Sequence, residues 1–164
     1  MKSKMNPPNQ HCTLQYNWVK ETRQLLLRYL SALSPEDLIR PIPSFGNGGS
    51  LRDLLVHTAN VYQHWIGHIA LKTHTVYAKK EDFSNIPEIR DVYREADALI
   101  AALLDQQQLM DDNIIFSLNG GQRSTSGFRI FTHVITHEFH HKGQLLSMSR
   151  LLGHTPVDTD IIHA

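Results

Sequence analysis

An all-α fold, a four-helix bundle, is what these 164 residues predict, and three observations carry the prediction. Four stretches of roughly twenty residues keep their apolar side chains at the spacing of one helix face. Polar, irregular or Pro- and Gly-rich segments separate these stretches. The length suits one domain that can bury its core without disulfide staples, and four amphipathic helices of similar length do so by packing on one another.

The elements follow in order. Residues 1–11, polar and prolyl, read as a flexible lead-in, and residues 12–164 as the single domain. From about Cys12 to Ala32, Leu14, Trp18, Leu25, Leu26, Tyr29 and Leu30 recur with helical spacing. Ser34-Pro35-Glu36-Asp37 is a turn opening a short helical piece, and Pro41 to Gly49 is a loop by composition. Ser50 is a good N-cap for the second long helix, with Asp53 in its first turn. That helix runs to about Lys72 and buries Leu51, Leu54, Leu55, Tyr62, Trp65, Ile66 and Ile69. Residues 73–87 are polar and irregular. A third helix, from about Pro87 to Gln107, carries Ile89, Val92, Tyr93, Ala96, Leu99, Ile100, Leu103 and Leu104. The short apolar run after Asn113 ends in Asn119-Gly120, a hairpin turn signal whose second arm is very polar. The fourth long helix spans about Ser126 to Leu152 and stops at Gly153. Ile161-Ile162 in the tail are expected to pack back on the bundle.

Composition narrows the function. Sixteen basic residues balance sixteen acidic ones, which argues against a dedicated nucleic-acid binder. The single cysteine, Cys12, leaves no disulfide framework and no cysteine-rich zinc site, and fits a reducing compartment. No apolar run is long enough to cross a bilayer, and the N-terminus lacks the apolar segment of a signal peptide. The expected location is cytoplasmic, with no membrane partner.

Histidine is the outlier, at 11 residues. Four of them, His133, His137, His140 and His141, fall in the fourth helix. At about 100° per residue, positions 130, 134, 137, 141, 145 and 148 share one stripe. Their occupants are Ile130, Val134, His137, His141, Leu145 and Met148. Two histidines therefore replace core positions in an inward seam, four residues apart, a spacing that lets one helix give a metal two nitrogens. His133 and His140 lie to one side and read as partly exposed. A third ligand has to come from another helix; the second offers His57, His64 and His68, and periodicity does not choose among them. His137 to His141 also matches H-E-x-x-H, the zinc-protease helix signature. The position of a metzincin glycine is Gln144, however, and no glutamate follows Glu138 to serve as a later ligand. Glu138 also projects about 100° away from the histidine line.

The run from His133 through His137-Glu-Phe-His-His141-Lys-Gly-Gln144, with Arg150-Leu-Leu-Gly153-His-Thr-Pro156 after it, resembles the last helix of the DinB/YfiT-like family. So does Ser50-Leu-Arg-Asp-Leu-Leu-Val-His57, with Trp65 eight residues later. The resemblance extends over nearly the whole chain, and this family is unrelated to the DNA polymerase that shares the name. It implies an up-down-down-up bundle with a long crossover, for which residues 73–87 are long enough. It implies a divalent metal, nickel or zinc, held by one histidine of the second helix and two of the last; in this sequence those are His57, His137 and His141. It also implies pairing into a homodimer.

Three neutral nitrogen ligands would leave a position for water or substrate, as in catalytic zinc sites. Some members of the family are thiol-dependent S-transferases that use a low-molecular-weight thiol as nucleophile, and others are grouped as metal-dependent hydrolases. The expectation is a metalloenzyme acting on a small-molecule substrate, with Asn60 and Gln144 as candidates to hydrogen-bond the ligands or the substrate. The alternative is a non-catalytic metal-binding bundle in stress response, sensing or partner contact. Direct DNA binding is disfavoured by the neutral charge.

Overall fold

The computed structural model describes residues 9–45 and 49–162. Most of the lead-in expected over residues 1–11 lies outside them, but helix α1 (Gln10–Ser31) starts before Cys12 and takes in its last residues. It buries Tyr16, Val19, Leu26, Leu27 and Leu30. The short helix α2 (Pro35–Ile39) is capped by Ser34, whose hydroxyl oxygen accepts the Asp37 N–H at 3.1 Å.

Helix α3 (Leu51–Tyr62) opens at the expected cap, with Ser50 Oγ accepting the Asp53 N–H at 3.1 Å. The periodicity predicts one α-helix to Lys72; instead residues Gln63–Ala70 widen into a π-helix. The cause lies in the segment that follows. Both the N–H and the hydroxyl of Thr73 donate to the Gly67 carbonyl, at 2.9 and 3.0 Å. The Leu71 N–H donates to Ile66 at 2.8 Å, closing the wider ring. Asn60 then clamps the crossover with both ends of its amide: Nδ2 donates to the Ala78 carbonyl at 2.8 Å, and Oδ1 accepts the Ala78 N–H at 2.9 Å.

Helix α4 (Ile86–Asp105) begins at Asn85, whose Oδ1 accepts the Glu88 N–H, with Pro87 in its first turn. A short α5 (Gln107–Asp111) leads to the antiparallel pair β1 (Ile114–Leu118) and β2 (Gly121–Thr125). Asn119 and Gly120 both have positive φ, 51° and 75°, so the Asn-Gly signal does mark a two-residue hairpin turn. The hairpin is the one addition to the otherwise helical fold among the described residues. Helix α6 (Gly127–Leu151) starts at Ser126, which accepts the Arg129 N–H, and ends before Gly153 at φ 93°.

Cross-helix pairs give the topology. Tyr16 and Arg23 of α1 both meet Asp97 of α4, while Asn9 reaches Leu104, so α1 and α4 are antiparallel. Leu55 meets Tyr93, and Gln63 meets Glu95, so α3 and α4 are parallel. Arg23 meets Glu138 and Tyr29 meets Ser149, so α1 and α6 are parallel. The order is up-down-down-up, and the 71–85 connection is the crossover that parallel neighbours require.

The apolar core is in two parts. One is built on Val19, Tyr62, Ala96, Phe131 and Ile135, the other on Leu26, Leu55, Ile89, Leu145 and Met148. Between them runs a layer of buried polar groups that includes Arg23, Glu138 and Lys142. The tail departs from expectation: Ile161 and Ile162 are 44% and 87% exposed, and Thr159 is buried instead. Two apolar residues at the end of a strandless tail have no periodic partner to hold them down.

Gly127, the first residue of α6, sits against α5. A Cβ there would lie 2.4 Å from the Leu109 carbonyl oxygen and 2.9 Å from its carbon, both backbone atoms. Gly127→Ala is expected to cost about 1–3 kcal/mol through this clash, read as a lower urea midpoint with an unchanged slope.

Candidate metal centre

Helix α6 displays the seam that the sequence describes. Ile130, Val134, Leu145 and Met148 are buried, and between them His141 is buried and His137 half-buried. His133 and His140 are exposed, as expected. Helix α3 runs antiparallel beside this face and brings in His57. The ring centroids of His57 lie 5.4 Å from those of His137 and 5.0 Å from those of His141, and His137 and His141 are 4.3 Å apart. One nitrogen from each of the three rings lies within 4.8 Å of the others, and among the described residues this is the one such grouping.

The other histidines go elsewhere. His64 bonds through Nδ1 to the Tyr77 hydroxyl at 2.9 Å, and His68 is exposed. His154 contacts Asp37 at 2.9 Å, His11 and His74 are exposed, and His163 lies outside the described residues. Asn60 is spent on the crossover and Gln144 is not: its Oε1 lies 2.6 Å from His141 Nδ1. An amide oxygen can only accept, so Nδ1 carries the proton and the lone pair of His141 is on Nε2. That Nε2 faces His137 Nε2 at 3.1 Å.

These facts bear on whether the residues fit a metal. At metal–nitrogen bonds of about 2.0–2.1 Å, two ligands at a tetrahedral angle are about 3.3 Å apart, close to the observed spacing. Without a cation, His137 must donate from Nε2 to avoid two facing lone pairs. Its buried Nδ1, which has no partner among the described residues, is then an unprotonated acceptor left empty. A cation between the two Nε2 atoms removes the clash of facing lone pairs and shifts the His137 proton to Nδ1, which has no acceptor among the described residues in either state. Burial also pushes the pKa of all three rings down; His137 falls to about 4, driven first by desolvation and then by His141 and His57. The rings are neutral at physiological pH, the form that binds metal. Gln144→Leu leaves His141 free to take the other tautomer and is expected to weaken metal affinity about 10–100-fold, measured by competition with a chromogenic chelator.

Around the cluster stands an aromatic wall that periodicity did not reveal. Trp65 packs edge-on against His133 at 5.1 Å and against Phe116 of the hairpin at 5.4 Å, and His133 lies 5.6 Å from His137. Trp65 reads as core in the sequence, and the hairpin that supplies Phe116 is marked by Asn119-Gly120, but nothing local links the two.

Glu138 has a different place from the one its H-E-x-x-H context suggests. It is 3% exposed and accepts from Arg23 Nε at 2.9 Å and Nη2 at 2.8 Å, and from the Tyr62 hydroxyl at 2.6 Å. Arg23 and Lys142 hold its carboxyl below the usual carboxylate range against the opposing effect of burial. It belongs to the bundle interior and is no general base for the histidine cluster.

Comparisons with known proteins agree with this architecture. The DinB family model matches residues 1–164. No curated protein matches. Among solved structures, the crystal structure of a DinB-like protein from Bacillus cereus ATCC 10987 at 2.01 Å resolution superposes with a TM-score of 0.68. It shares 19% identity, and the alignment covers 90% of this chain and 94% of that one. At that identity the likeness concerns the fold, whereas the family match runs the full length. The chain belongs to the DinB family.

Proposed function

We propose that the protein is a metal-dependent enzyme in which His57, His137 and His141 hold a divalent cation, nickel or zinc, beside a thiol or water nucleophile. The observation that carries this reading is the pair of facing Nε2 atoms, with His57 completing the triangle and no carboxylate among the three. Held by these three neutral nitrogens, a divalent cation would supply Lewis acidity that lowers the pKa of water toward about 7 or favours a thiol as thiolate.

The chain's own groups set the rest. Gln144 fixes the His141 ring by its hydrogen bond. Trp65 and His133 flank the His137 side and would limit water and orient an apolar part of the substrate. The reading extends to a small-molecule substrate, a low-molecular-weight thiol as co-substrate, a homodimer and a cytoplasmic setting. Buried, unpaired Cys12 suits the last of these, and no helix among the described residues is long and apolar enough to cross a membrane.

The test is a transfer assay on protein purified without a metal-affinity tag. Physiological thiols are offered with an electrophilic acceptor, and ester and amide substrates serve as the water-nucleophile arm. Turnover that needs nickel or zinc and disappears in His137→Ala supports the proposal. Metal binding with no turnover in either arm would replace it by the non-catalytic bundle.

A further inference from the structure

The seam opposite the histidines has a site of its own. Helices α3 and α6 hold the histidine cluster; α1 and α4 meet on the other side of the bundle and leave a cleft of about 270 Å³. Lys20, Arg23, Arg28, Arg90, Arg94 and Asp97 line it. Five cations against one carboxylate is a strong local bias in a chain whose charges balance overall.

Two of the five cations, Arg23 and Arg94, are paired, and three are not. Asp97 is engaged by the Arg23 guanidinium at 2.7 Å and the Tyr16 hydroxyl at 2.7 Å. Arg94 pairs with Asp91 one turn earlier. Lys20, Arg28 and Arg90 form no ion pair among the described residues. Arg90 and Arg94 stand at i and i+4 on α4, a spacing at which like charges repel. Arg28 adds a third guanidinium from across the seam.

The floor is a built donor. Arg23 is 3% exposed, and four of its five N–H groups are used, by Glu138 twice, by Tyr16 and by Asp97. One N–H on Nη1 has no partner among these bonds, and Arg23 is among the residues that line the cleft. Guanidinium groups from two helices lining one small cavity match a compact anion with several oxygens. We propose that the α1–α4 cleft binds a phosphoryl group, free or as the headgroup of a larger molecule. The ligand's charge relieves the repulsion among Arg28, Arg90 and Arg94.

The probes are pyrophosphate and inorganic phosphate, titrated calorimetrically into the full chain at low ionic strength. Wild type is expected to bind pyrophosphate more tightly than phosphate, with affinity falling as salt rises. The double variant Arg28→Gln/Arg90→Gln is expected to weaken binding about tenfold or more, given the strength of charge-assisted pairs. Both positions are exposed, so folding is expected to survive, and a thermal melt checks it. Arg123→Gln/Arg129→Gln, on exposed arginines outside the cleft, is expected to change nothing. His137→Ala is also expected to bind pyrophosphate normally, so this site and the metal reading stand or fall separately. Absence of pyrophosphate binding to wild type, or equal weakening in the two double variants, would overturn the proposal. Co-sedimentation with phosphatidylcholine vesicles carrying phosphatidic acid separates the sources. Vesicle binding that pyrophosphate competes away supports a lipid headgroup in this cleft, and calorimetric binding without vesicle binding supports a soluble ligand.

Discussion

Glu138→Ala is expected to destabilise the protein by about 3–5 kcal/mol, the usual cost of removing one partner from a buried ion pair. The carboxylate accepts three of the hydrogen bonds that tie α1, α3 and α6 together. Its loss strands the Arg23 guanidinium, which is 3% exposed with Asp97 its one remaining carboxylate. It also leaves the Tyr62 hydroxyl without an acceptor and removes the carboxylate 4.0 Å from the buried Lys142 ammonium. Burial already pushes the Lys142 pKa down to about 8 while Glu138 resists that fall. The measurement is the urea midpoint of the variant beside wild type. An apolar pair tests the mechanism: in Arg23→Met/Glu138→Leu both charges leave together, and much of the loss is expected to return. If Glu138→Ala unfolds at the wild-type midpoint, the layer is not an ionic tie between helices.

How much of this was legible beforehand depends on how local each feature is. The four long helices are written in side-chain spacing within each segment, and Ser50, Ser126, Asn119-Gly120 and Gly153 mark boundaries through their own backbone chemistry. The His137–His141 pair is legible for the same reason, since both lie on one apolar stripe of one helix. Choosing His57 over His64 and His68 required knowing which side of α3 faces α6. That rotation comes from packing, so only family resemblance pointed to it. Arg23 is the clearest blind spot. It sits among Val19, Leu26, Leu27 and Leu30 on the buried face of α1, but its partners are 74 and 115 residues away. A charged residue on an apolar face is the local trace of such a pair, and it does not name the partner. The widening at Gln63–Ala70 is similarly non-local, because Thr73 captures the Gly67 carbonyl from outside the helix.

Adding nickel or zinc to metal-free wild type is expected to raise its melting temperature by about 5–10 °C, whereas His137→Ala gains almost nothing. The size follows from linkage: a ligand at a hundred times its dissociation constant stabilises the state that binds it by about 2.7 kcal/mol. For a domain of this size each kcal/mol moves the midpoint by about 2–4 °C. His137 is the discriminating position because its Nε2 faces that of His141 at 3.1 Å and its ring belongs to the three-nitrogen grouping. Removing it takes away one of the two nitrogens on α6 and leaves the fold's buried contacts largely alone, since the ring is only half-buried. Metal-free His137→Ala and metal-free wild type are therefore expected to melt within a few degrees of each other, and to separate only when the cation is added. His140→Ala is the control, an exposed ring 5.0 Å from His141 that lies outside the triangle; it is expected to keep the full metal shift. Elemental analysis gives the second reading, with about one equivalent in wild type and His140→Ala and little in the His57, His137 and His141 variants. A metal shift that survives in all three ligand variants would mean that the cation binds elsewhere, and the histidine triangle would then be a packing feature of the α3–α6 seam.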